Sequence, residues 1–136
     1  MILYRLKPEV KNDSKNKDIM GMFVYDTSLE KIWGEEKTMP YTEKDMDNLN
    51  YGVGNKGYIF TLIRNKPEEK YEILAFNQDG MESKDLGIST DMYLHNLKIV
   101  ETSEGIVRCS GFYANGIEFK VGFGGGSFVI NTDGIF

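Results

Sequence analysis

Three stretches of the chain repeat one design: "GMFVYDTSLEKIW" from Gly21, "EILAFNQDGMESKDL" from Glu72 and "GSFVINTDGIF" from Gly126. Each is an apolar run that stops at Asp or Asn, a short polar turn, and an apolar restart. The turn residues are Asp26, Asn77 and Asn131, spaced at about 50 residues. A second hairpin signal recurs between them. "VGNKGYIFTL" turns at Gly57 and "ETSEGIVRCSGFY" turns at Gly105, with nearly the same interval. Asn and Gly accept the positive φ that such turns require. The runs themselves are rich in β-branched and aromatic residues, which fit a pleated, half-buried surface.

Two hairpin types alternating at this period describe units of four antiparallel strands. One such sheet leaves both of its faces uncovered, so the units must stack, with their turns at the rims. The expected fold is therefore all-β, built from antiparallel four-stranded repeats in a partial β-propeller-like arrangement. A compact β-sandwich or an open barrel is the alternative packing of the same strands. With 136 residues the chain is long enough for one domain with a real core. The repeat units run over residues 1–46, 47–91 and 92–136.

Between the hairpins the signals change. "ILYRL" reads as an initial strand, and Lys7 to Asp18 as a solvated loop that contains a glycosylation sequon at Asn12. Pro40 marks a change of direction. "YTEKDMDNL" then reads as a loop with at most one or two helical turns, which Thr42 would cap with Asp45 three residues on. Trp33 reads as a core anchor.

Composition excludes several function classes. The net charge is −5 and the cations are scattered apart from the run from Lys7 to Lys17, which argues against a nucleic-acid surface. No stretch approaches the ~18 apolar residues of a membrane-spanning helix. The opening "MILYRLKPEV" is too short and too charged for a signal peptide. Cys109 is the only cysteine, so neither an intrachain disulfide nor a cysteine-based metal cluster forms, and it reads as a packed strand residue. His95 is the only histidine and reads as a loop or rim residue.

The candidate chemistry is thin. Gly122 and Gly124 to Gly126 are followed by Ser127 and a strand, not by the helix a phosphate loop needs. They read as a close-packed strand connection. "NQDG" and "NTDG" offer a few oxygen ligands each, without the alternate-position ligands and distal Glu of a calcium loop. No metal and no cofactor is expected. Glu35, Glu36 and the acids from Glu43 to Asp47 are the candidates for a glycosidic acid/base pair, whose separation decides its chemistry. Among the many aromatics, Tyr41, Tyr93 and Tyr113 stand at run ends, where a ring can stack on a sugar or a peptide.

Taken together, "FVYDTSLEKIWGEEKTMPYTEKDMDN", "YGVGNKGYIFTL", "YEILAFNQDG" and "GIVRCSGFYANG" resemble segments of poorly characterised β-propeller-like repeat proteins of Bacteroidetes-type bacteria. The resemblance spans roughly residues 20 to 115 and rests on motif order, not on a catalytic signature. It implies a longer, exported protein of the cell envelope and transfers no functional residue. About two and a half blades do not close a ring, so exposed sheet faces and self-association are expected. The functional expectation is a non-enzymatic binding or scaffolding domain with a protein or glycan ligand. Two alternatives stay open: a glycan-active enzyme, or the remnant of one, using rim carboxylates, and a truncated fragment without independent function.

Overall fold

The computed structural model describes residues 1–6, 13–89, 92–103, 106–115 and 126–131. The protein is all-β, and every strand pairing is antiparallel. The strands are β1 (Ile2–Arg5), β2 (Lys17–Tyr25), β3 (Lys31–Thr42), β4 (Met46–Val53), β5 (Ile59–Asn65), β6 (Lys70–Phe76), β7 (Met81–Ser89), β8 (Met92–Glu101), β9 (Val107–Asn115) and β10 (Gly126–Asn131). They form three sheets in chain order: β1-β2-β3, β4-β5-β6-β7 and β8-β9-β10. Only the middle sheet has four strands among the described residues; the other two have three. The described residues hold no helix, so none is long and apolar enough to cross a membrane.

The middle sheet is covered on both faces, and its sequence says why. "IFTLI" and "EILAF" are buried without interruption, as a strand must be when neither side meets water. Alternate residues then serve different neighbours. Ile59, Ile63, Leu74 and Phe76 pack with Met20, Met22, Val24, Trp33 and Met39 of the first sheet. Phe60, Leu62, Ile73 and Ala75 pack with Leu97, Ile99, Val107 and Cys109 of the third. The result is three stacked sheets with two apolar interfaces. At the second interface β4 and β8 approach closely: a Cβ added at Gly52 would lie 2.9 Å from the carbonyl oxygen of Ile99.

The turns use the expected chemistry. Asp26 accepts from the backbone N–H groups of Ser28 and Glu30, and Asn77 accepts from those of Asp79 and Gly80. Gly57 takes a left-handed φ of 79°. Its carbonyl also accepts the Trp33 indole N–H at 2.7 Å, which ties the first sheet to the second. Glu101 accepts the Asn55 N–H, which ties the second to the third. Since these side-chain oxygens are occupied by backbone N–H groups, the turns close on themselves.

One expectation is overturned. "YTEKDMDNL" is mostly strand and not a loop: Tyr41 and Thr42 finish β3, residues 43–45 turn, and β4 starts at Met46. The Thr42–Asp45 contact does form, at 2.7 Å, but it closes the link between two sheets. Pro40 is accommodated because β3 is an edge strand and its register slips in that region, so no ladder N–H is missed. The Asn12 sequon and Gly122 to Gly125 lie outside the described residues.

One buried hydroxyl stands out. Thr61 is fully buried on the face that meets the first sheet, and its Oγ1 has no hydrogen-bond partner among the described residues. Thr61→Val keeps the shape and removes an unsatisfied polar atom. It is expected to raise stability by about 1 kcal/mol, read as a higher urea midpoint with an unchanged slope.

Candidate functional site

The described surface has a polar cleft of about 430 Å³ between the first two sheets, at the end opposite the Asp26, Gly57 and Asn77 turns. It is lined by Arg5, Asp18, Glu43, Met46, Asp47, Asn48, Tyr51 and Lys66. Backbone alternation explains how the charges reach it. On β1 the inward positions are Leu3 and Arg5, and on β2 they begin with Asp18, so each strand carries an apolar inward row that turns ionic at this end. Glu43 comes from the link between β3 and β4, and Lys66 from just beyond β5. Asp47, Asn48 and Tyr51 come from β4, whose register shifts between Asn48 and Asn50.

The cleft is held by its own ion pairs. A single guanidinium nitrogen of Arg5 lies 3.0 Å from Asp18 Oδ1 and 3.1 Å from Glu43 Oε1. The hydrogen bond to Asp18 is the main reason the Arg5 guanidinium is held above its ordinary pKa. Lys66 Nζ lies 2.7 Å from Asp47 Oδ1 and donates to the Lys44 carbonyl at 3.2 Å. Burial pushes the Tyr51 hydroxyl above its ordinary pKa. Asn48 Oδ1 is a buried acceptor without a hydrogen-bond partner among the described residues. Three carboxylates face two cations, so the lining carries a net excess of acceptors.

A second polar cluster is internal. Glu72 is 2% exposed, and its carboxylate accepts the Tyr41 hydroxyl at 2.9 and 3.1 Å and the Asn65 amide at 2.8 Å. Lys70 Nζ reaches it at 3.2 Å and Glu68 at 2.6 Å. The Tyr41 hydroxyl is pushed up to about 12, first by burial and then by its bond to Glu72. Lys70 is also raised, chiefly by its hydrogen bond to Glu68. Every partner here is engaged, which makes the cluster a structural tie between β3, β5 and β6.

The three tyrosines chosen from sequence do not converge. Tyr41 lies on the first sheet, with its hydroxyl donated to Glu72. Tyr93 and Tyr113 lie on β8 and β9 of the third sheet, at successive register positions, with the middle sheet between them and Tyr41. His95 lies on β8 beside the register shift opposite Phe112. Glu35 pairs with Lys37, while Glu36 accepts the Tyr4 hydroxyl at 3.1 Å, so alternation sends the two neighbours to opposite faces. Cys109 is fully buried, and burial pushes its thiol up to about 11. Of the acids from Glu43 to Asp47, Glu43 and Asp47 do reach the cleft.

Arg5, Asp18, Asn48 and Lys66 were missed as site residues. Their signal was available at two places: a charge on the inward parity of an otherwise apolar strand marks a polar end to a core. Comparison of the chain with family models, curated proteins and solved structures returned no match.

Proposed function

We propose that the protein is a non-enzymatic binding and scaffolding module, built of propeller-like sheet repeats over residues 1–46, 47–91 and 92–136. The Arg5 cleft holds its ligand, a hydroxyl-rich molecule of the glycan class. One observation carries this reading: the cleft is a pre-formed polar site in which both cations are already neutralised by carboxylates. What remains open to a ligand is acceptor-rich, with the half-exposed Asp47 carboxylate and the Tyr51 ring alongside. Acceptors beside an aromatic ring suit hydroxyl donors on an apolar sugar face and disfavour an anionic ligand. The propeller-like reading is supported by the stacking of successive meander sheets, each tied to the next at the turn end.

The test is titration of neutral oligosaccharides into the labelled protein, followed by amide and side-chain NMR shifts. Binding is expected to perturb Asp47 and Tyr51, and Asp47→Ala is expected to weaken it at least about tenfold, the loss of one hydrogen bond to a charged acceptor. Absence of shifts at these residues across the panel would sink the glycan reading. Asp18 and Glu43, which share one guanidinium nitrogen, give the enzyme alternative a carboxylate pair to test. Release of new reducing ends in the same samples, abolished by Glu43→Gln, would move the reading to a glycan-active enzyme.

A further inference from the structure

The two interfaces in the stack are the same interface used twice. Met22 and Val24 stand four and two residues before the turn residue Asp26, and they pack toward the second sheet. Ile73 and Ala75 stand four and two before Asn77, and they pack toward the third. The opposite parity in the second sheet, Leu74 and Phe76, packs back on the first sheet. Each sheet therefore has a forward face and a backward face, and every contact joins forward to backward. Such a contact is heterologous: among the described residues it leaves one unmatched face at each end of the stack.

The first of these faces is apolar at its centre, and the second carries exposed apolar residues on either side of Ser110 and Lys98. On the first sheet, Phe23 and Tyr25 stand where Leu74 and Phe76 stand in the second, three and one residues before the turn. Ile2 and Tyr4 share that face through their pairing with Phe23 and Gly21. Ile2 is 52% exposed, and the Tyr4 and Phe23 rings stack at 6.0 Å. On the third sheet, Arg108 stands three residues after Gly105, as the buried Phe60 stands three after Gly57. Val100 and Phe112 share its face and are 54% and 55% exposed. Glu36 stands on the first of these faces, and Lys98 and Arg108 on the second.

We propose that the exposed face of the first sheet and the exposed face of the third are the two halves of one head-to-tail interface between copies of this chain. The second copy continues the stack by the rule the chain already obeys twice. It covers Phe23, Tyr4 and Ile2 with Val100 and Phe112, and brings Lys98 and Arg108 to the face that carries Glu36. Two copies that make both contacts at once close on a two-fold axis. The proposal is independent of the ligand cleft, which lies inside one chain.

The experiment is light scattering on the whole chain and on two exposed-face variants, Ile2→Glu and Phe112→Glu. The wild-type protein is expected at twice the chain mass. Each variant is expected at the single-chain mass, with its β-sheet circular dichroism retained. An equimolar mixture of the two is then expected to regain the double mass, because one variant keeps an intact first face and the other an intact third. Single-chain mass for the wild type at every concentration overturns the proposal and leaves these faces to further sheets of a longer polypeptide. Variants that stay double overturn it too, as does a mixture that stays single, since that outcome means a self-matching contact.

Discussion

Glu72→Ala is expected to lower stability by about 3–5 kcal/mol, a large share of the roughly 5–15 kcal/mol that holds a domain of this kind folded. The carboxylate is the common acceptor for Tyr41, Asn65 and Lys70, and its residue is 2% exposed. Truncation leaves the fully buried Asn65 without its acceptor on the Glu72 carboxylate, and the Tyr41 hydroxyl likewise. Each buried donor left without a partner costs about 1–3 kcal/mol, and the vacated volume adds to that. Lys70 loses less, because it keeps Glu68 and sits closer to water. Urea unfolding reads the loss directly. The same site gives stability a pH dependence. The Tyr41 hydroxyl ionises at about 12 in the folded chain against an ordinary 10.0. A raised folded pKa favours the protonated form, so this contribution is complete below pH 10 and fades as pH rises toward 12. Tyr41→Phe is expected to flatten that alkaline limb, and an unchanged limb would show that another group carries it.

The strands and their turns could be read from residue pattern alone, because both are decided locally. Asp26 and Asn77 act on backbone N–H groups no more than four residues away. The run from Ile59 to Ile63 announces by its unbroken apolarity that both of its faces are covered. Which face meets which sheet is not a local property. Parity groups Phe60 with Leu62, but nothing within β5 says that Leu97 and Ile99 lie opposite. The region from Tyr41 to Leu49 failed for a related reason. Thr42 and Asp45 satisfy each other equally well at a helix start and in the tight link that the chain makes there. At the cleft, the acids near Glu43 were visible as candidates, whereas Arg5 and Lys66 were not. Those two cations meet their acids only once strands pair: Arg5 meets Asp18 across β1 and β2, and Lys66 meets Asp47 across β4 and β5. Glu72 was the overlooked signal: a carboxylate in the middle of "KYEILAF" requires buried partners wherever that strand ends up.

Phe60→Ala is expected to cost about 3–5 kcal/mol and to loosen one interface in preference to the other. The ring is 1% exposed, lies among Leu62, Ile73, Ala75, Leu97, Ile99, Val107 and Cys109, and stacks on Tyr58 at 6.1 Å. It belongs wholly to the contact between the second and third sheets. The chain carries one native reporter for each contact. Trp33, the only tryptophan, is packed between the first and second sheets, and Cys109, the only cysteine, between the second and third. Burial holds the Cys109 thiol up at about 11, so near neutral pH it reacts with a disulfide reagent only when the third sheet opens. In Phe60→Ala, thiol reaction is expected to accelerate by two or more orders of magnitude under native conditions, in proportion to the lost free energy. Trp33 emission is expected to hold its native maximum until global unfolding. Simultaneous change of both reporters at every denaturant concentration would mean that the stack opens as one unit. The two sheet contacts, alike in pattern, would then also be inseparable in energy.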